Sequence, residues 1–176
     1  VTLAGVDKIG KLTPATKLSD SQYVEFTLPS PPAQFLVWEP VDIQVDSAGI
    51  VWATLAAGNA IMRLDPSQAQ PKTDNGIDII PLASCPETEC RQPPPPEPPA
   101  LSREPTQMTL KETPAGTEVW FTEALADKIG VVRWGGSPAS SSQSHFTCAC
   151  KVPPVTGGTP DAGNPSGIDV DPGGSI

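Results

Sequence analysis

Val119-Trp120-Phe121-Thr122-Glu123-Ala124-Leu125-Ala126-Asp127-Lys128-Ile129-Gly130-Val131-Val132 reads as a strand ending in an aromatic pair, a short polar turn and a second strand. A gapless counterpart stands 68 residues upstream, Val51-Trp52-Ala53-Thr54-Leu55-Ala56-Ala57-Gly58-Asn59-Ala60-Ile61-Met62-Arg63-Leu64. A third copy opens the chain as Val1-Thr2-Leu3-Ala4-Gly5-Val6-Asp7-Lys8-Ile9-Gly10-Lys11-Leu12. In each copy a Thr stands five residues before an Asp or Asn: Thr2 and Asp7, Thr54 and Asn59, Thr122 and Asp127. Self-similarity at a long fixed period is the signature of a repeat architecture.

Working outward, each full unit opens on a proline and a short strand. Pro40-Val41-Asp42-Ile43-Gln44-Val45-Asp46 leads into the Trp52 strand. Pro105-Thr106-Gln107-Met108-Thr109-Leu110 leads, after a three-residue insertion, into the Trp120 strand, and Pro165-Ser166-Gly167-Ile168-Asp169-Val170-Asp171 starts a further unit. Asp-x-x-Gly and Asp-Pro-Gly-Gly between strands are tight-turn chemistry. Each unit closes on an alternating segment: Tyr23–Pro29, Ile77–Leu82 and, more loosely, His145–Pro153. The unit is therefore four short antiparallel strands, a β-propeller blade. No stretch carries a capped 3.6-residue apolar period, so the reading is all-β with almost no helix.

The 176 residues read as one propeller segment with repeats at about 1–39, 40–104 and 105–164 and the start of the next at 165–176. About three blades make an incomplete ring, since propellers close with four to eight. A fragment of a larger propeller, or two copies that complete each other, are both compatible with this pattern. Loop insertions are expected at 83–104, which holds Pro93-Pro94-Pro95-Pro96-Glu97-Pro98-Pro99, and at 134–164, rich in Gly, Ser and Pro. Polyproline is stiff and extended, which suits a spacer.

The net charge of −9 and pI of about 4.4 oppose contact with phosphate backbones and anionic lipid, so no nucleic-acid or membrane partner is expected. No apolar run approaches the ~20 residues of a membrane span.

Four cysteines fall in two close pairs, Cys85 with Cys90 and Cys148 with Cys150, whose spacings do not match zinc knuckles. They are disulfide candidates in loops of an exported protein, either within the first pair or crossing between the two loops. The one histidine, His145, beside Phe146, is expected as an exposed or edge residue. Trp52 and Trp120 recur at strand spacing and are expected as structural wedges between blades. Asp7, Asn59 and Asp127 are expected to bond nearby backbone N–H groups within their own turn. Glu123 is the one candidate for chemistry, because its counterparts Leu55 and Leu3 show that the repeat does not require a carboxylate there.

The unit Pro-x-x-Ile-x-Val-Asp-x-x-Gly-x-Val-Trp-x-Thr resembles the repeat of the streptogramin B lyase-like propellers, relatives of the NHL-repeat group; Trp120-Phe121-Thr122-Glu123 followed by Asp127-Lys128-Ile129-Gly130 is its best match. The resemblance implies a catalytic His just after the opening proline and a Glu closing Trp-Phe-Thr-Glu, around magnesium. Here the His positions hold Val41, Thr106 and Ser166, and only Glu123 matches the Glu. A general acid–base site without its His is a different machine. The sequence thus points to a non-catalytic extracellular binding or structural module, secreted, periplasmic or on the cell surface, without cofactor. Its expected partner is a protein or further blades of its own kind. The competing reading is a metal-assisted lyase whose catalytic His lies outside this chain.

Overall fold

The computed structural model describes residues 1–84, 103–126, 128–147, 165, 167–171 and 173–176. The disulfide candidates Cys85, Cys90, Cys148 and Cys150 all lie outside the described residues, so the described structure contains no disulfide and the expected pairing is not part of it. The polyproline run, Asp127 and Ser166 lie outside the described residues as well, with the readings attached to them.

Three antiparallel sheets follow one another along the chain and do not close a ring. The first holds β1 (Thr2–Leu3), β2 (Lys8–Thr13) and β3 (Gln22–Thr27) in sequence order. The second holds β4 (Pro40–Val45), β5 (Val51–Leu55), β6 (Ala60–Leu64) and β7 (Ile77–Pro81). The third holds β8 (Pro105–Thr113), β9 (Gly116–Glu123), β10 (Lys128–Arg133) and β11 (Ser142–Thr147). Helical structure among the described residues is confined to short 3-10 turns. β11 begins inside the Ser-rich stretch expected as loop, and pairs with β10 over six residues from Lys128↔Thr147 to Arg133↔Ser142. Asp171 and Ser175 repeat a hairpin-turn contact of the second sheet: Asp171 N–H donates to Ser175 O (2.9 Å) as Asp46 N–H donates to Ile50 O (3.0 Å).

The recurring Thr has a structural cause. Pairing of the first strand with the second slips between Pro40 and Ile43, and again between Pro105 and Met108. A bulge leaves backbone groups without ladder partners. The Thr54 hydroxyl accepts from Asp42 N–H (3.0 Å) and the Thr122 hydroxyl from Gln107 N–H (3.2 Å), filling both gaps in the same way. The hydroxyl also ties one sheet to the next: Thr54 donates to Thr106 O (2.6 Å) and Thr2 to Val41 O (3.2 Å).

The recurring Asx residue does more than shape its own turn. Asp7 and Asn59 both adopt a left-handed φ of 49°, as a tight turn requires. Their side chains, however, reach the chain entering the next sheet. Asp7 Oδ1 accepts from the N–H groups of Trp38 (3.0 Å) and Glu39 (3.1 Å), and Asn59 Oδ1 from Arg103 N–H (2.8 Å). The expectation of purely local bonding is corrected: the bonds span 31 and 44 residues and fasten neighbouring blades.

The sheets stack through two apolar seams. Ile9, Phe26, Trp38, Leu55, Met62 and Leu64 fill the seam between the first and second sheets. Trp52, Ile61, Ile80, Met108, Phe121 and Val132 fill that between the second and third. The alternation along β6, with Met62 and Leu64 on one face and Ile61 on the other, is the period-two pattern of a strand buried on both sides. Trp52 is fully buried in the second seam, its indole N–H donating to Asp46 Oδ2 (3.0 Å). Trp120, expected as an equal wedge, is only half-buried; it stacks on Phe146 (5.7 Å between centroids, 18° between planes) and donates to Glu118.

Candidate functional site

Each sheet turns toward its predecessor the face that carries the end of its second strand. In the second sheet this face presents Leu55 from β5, Met62 from β6 and Ile79 from β7; Met62 and Ile79 are paired across the ladder. Trp38, two residues before the opening proline, closes the joint. The equivalent positions in the third sheet are Glu123, Gly130, His145 and Arg103, with Gly130 paired to His145. Four apolar groups in one joint are thus a carboxylate, a glycine, an imidazole and a guanidinium in the next.

These groups form one cluster. The side chains of Arg103 and Glu123 are 6% and 0% exposed, and Arg103 Nη1 donates to Glu123 Oε2 at 3.0 Å. His145 Nδ1 meets the other carboxylate oxygen, Oε1. The carboxylate thus has one oxygen against the guanidinium and the other against the imidazole, which fixes the orientation of the ring. The His145 Nε2 is buried and meets no hydrogen-bond partner among the described residues. Gly130 is the space for the carboxylate: a Cβ there would overlap the Phe121 ring and lie 2.6 Å from Glu123 Oε1.

Arg103 reaches back to the second sheet. Its Nε donates to Ala83 O (2.8 Å) and its Nη2 to Ser84 O (3.3 Å), while Asn59, which holds the Arg103 backbone, donates to Leu82 O (3.1 Å). In the preceding joint the Trp38 indole N–H donates to Pro29 O, the carbonyl equivalent to Ala83 O. Arg103 thus keeps the bond that Trp38 makes and adds a charge that Glu123 matches. The ion pair lies between two sheets, so each partner is desolvated and each requires the other.

His145 lies on the edge strand β11, in line with one of the two expectations for it, but it is not exposed: its side chain is 14% exposed and sits on Glu123. Glu123, the one candidate for chemistry, is fully buried. The residues that sequence reasoning missed are Arg103 and Gly130. Of the positions where the resemblance implies histidine, Val41 is 37% exposed and Thr106 bonds Thr122 through its hydroxyl (2.8 Å); neither carries a group that titrates near neutrality. The residues at Glu123 do not fit a divalent metal, because Arg103 and His145 already take both carboxylate oxygens, and no group of three metal-ligating side chains forms among the described residues.

Two carboxyls of the third sheet and its entry are shifted. Burial, then the charge of Glu39, pushes the Glu104 carboxyl above its ordinary value. Burial acts to raise Glu118, but hydrogen bonds from Trp120 and Arg133, with the charges of Arg133 and Lys111, outweigh it and hold that carboxyl low.

No family model matches this sequence, and no curated protein does. Solved structures do. The architecture is that of a β-propeller: sequential antiparallel sheets stacked face to face and joined by the strand that opens each unit. More narrowly, it is similar to the propeller of streptogramin B lyase. A catalytically inactive virginiamycin B lyase from Staphylococcus aureus, solved with quinupristin, aligns with 97% of this chain at a TM-score of 0.60 and 21% identity, using 41% of its own length. A streptogramin B lyase structure gives 97%, 0.60, 19% and 40%. A selenomethionine-substituted virginiamycin B lyase from the same organism gives 82%, 0.51, 21% and 35%. At such identities the likeness is one of fold. The chain spans about two fifths of the length of the first two propellers it matches.

Proposed function

We propose that these blades are a non-catalytic binding or structural module of a larger exported propeller or propeller assembly. The observation that carries this reading is the commitment of Glu123: the one carboxylate that matches the lyase pattern is buried and neutralised by Arg103, tying two blades together. Further blades, of the same protein or of a second chain, complete the ring, and native mass measurement of the intact protein distinguishes the two. Export is supported by the close sequence pairing of Cys85 with Cys90 and of Cys148 with Cys150. Alkylation without reductant should leave Cys85, Cys90, Cys148 and Cys150 unmodified, and complete alkylation would remove that support.

The second reading, a metal-assisted lyase with its catalytic His beyond this chain, is favoured by the match to lyase structures together with Trp120-Phe121-Thr122-Glu123. One experiment separates the two. The intact protein and its Glu123→Gln variant are incubated with quinupristin and magnesium, with folding of both checked by circular dichroism. The scaffold reading expects no conversion of quinupristin that depends on Glu123. Turnover by the parent that disappears in the folded variant would overturn it.

A further inference from the structure

The outer rim of the joint between the second and third sheets holds a cleft of about 350 Å³. Arg63 from β6, Asp78 from β7, Asp65 and Gln68 from the turn between them, and Trp134 after β10 contribute its polar and aromatic lining. The arrangement is fixed from several sides. The Arg63 guanidinium lies 4.7 Å from the centre of the Trp134 ring, and its Nη1 donates to Asp78 Oδ2 at 3.1 Å. Its Nη2 stands 3.7 Å from Asp65 Oδ2. Trp134 is itself set edge-on against the buried Trp52, 6.4 Å between centroids. Ser67 bonds Asp65 Oδ1 through both its hydroxyl (2.7 Å) and its N–H (3.0 Å), and chiefly through that hydroxyl keeps the carboxyl below its ordinary value.

We infer that this cleft binds a neutral polyhydroxylated ligand of the sugar class. Three polar groups of its lining residues are unspent among the described residues: Asp78 Oδ1, Gln68 Oε1 and the Trp134 indole N–H. Two accept and one donates, which matches hydroxyls, since each hydroxyl both gives and takes a hydrogen bond. The charges decide against the other classes. One guanidinium faces two carboxylates, so a phosphate or sulfate would meet net repulsion. An amine at Asp78 would sit beside a guanidinium already locked in place. A carboxylate held by its own cation loses little conformational freedom on binding, which is how a small polar cleft gains affinity. The site lies apart from Glu123 and stands whether or not these blades catalyse.

The test is titration of the intact protein with a panel of neutral monosaccharides and short neutral glycans, followed by Trp fluorescence and by calorimetry. Glucose 6-phosphate, inorganic sulfate and glucosamine serve as charged comparisons. At least one neutral sugar is expected to saturate the site, with affinity falling about tenfold or more in Asp78→Asn and in Gln68→Ala while the unfolding midpoint stays near that of the parent. No saturation by any neutral sugar, or tighter binding of the phosphate, sulfate or amine probes, would overturn the proposal. So would sugar binding that both variants leave unchanged.

Discussion

Truncating Arg103 to alanine removes the guanidinium and leaves Glu123 in the joint with His145 as its only polar contact among those described. Breaking a buried ion pair by deleting one partner costs about 3–5 kcal/mol, because the surviving charge stays desolvated. The same substitution strips donors from Ala83 O and Ser84 O. Lys8–Glu25 in the first sheet is the internal control. It has a shorter contact, 2.6 Å, but its side chains are 33% and 32% exposed, and an exposed pair contributes about 0–1 kcal/mol. For a chain of this size about 2–4 °C of melting temperature accompanies each kcal/mol, so Arg103→Ala should melt about 6–20 °C below the parent and Lys8→Ala within a few degrees of it. Thermal and guanidinium unfolding of both variants are the assays. Equal losses would refute the claim that burial, rather than ion-pair distance, sets the magnitude. A second variant tests the joint as a unit. Arg103→Trp, Phe121→Ala, Glu123→Leu, Gly130→Met and His145→Ile together install the residues of the preceding joint, Ala53 and Met62 being the pair equivalent to Phe121 and Gly130, and this variant is expected to recover most of the stability that Arg103→Ala loses.

Gly130→Ala drives a methyl into the Phe121 ring and should cost about 1–3 kcal/mol in urea unfolding; an unchanged midpoint would show that Phe121 yields freely. Thr54→Val keeps the volume but strands Asp42 N–H and Thr106 O, for a loss of about 1–3 kcal/mol, visible as faster amide exchange at Asp42. The raised carboxyl of Glu104 gives a signed pH effect. Its folded value lies above the ordinary 4.5, so its favourable contribution is complete below about that pH and is lost as pH rises through the folded value. Glu104→Gln should therefore stabilise relative to the parent at neutral pH and show no gain in acid. A gain that persists unchanged in acid would contradict that assignment.

Most of the fold is legible because its determinants recur. The 68-residue spacing of two Trp strands, the proline that opens each unit and the Thr–Asx pair are all periodic, and the same backbone problem produces each of them: a bulge to fill, a turn to make, a neighbouring sheet to hold. What periodicity hides is departure from itself. Glu123 stands out because Leu3 and Leu55 occupy its place, yet a lone carboxylate in a sequence has no visible partner. Arg103 stands two residues before Pro105 as Trp38 stands before Pro40, which makes the exchange readable in principle. Taken alone it is one more surface-type residue in a proline-rich insertion. Gly130 reads as an ordinary strand glycine until the Phe121 ring and the Glu123 carboxylate packed on it are seen. His145 escapes for a related reason. Its strand alternation marks a half-exposed edge, but the face it turns inward is the one that already carries Glu123, on the far side of a strand that at Gly130 has no side chain. The four residues are spread over more than forty positions, from Arg103 to His145, and only the stacking of one sheet on the next brings them together. A charge that a periodic seam does not need is thus best read by asking which other repeat positions changed with it. In this chain those positions supply a cation, a histidine and a vacancy, and together they make Glu123 part of a joint.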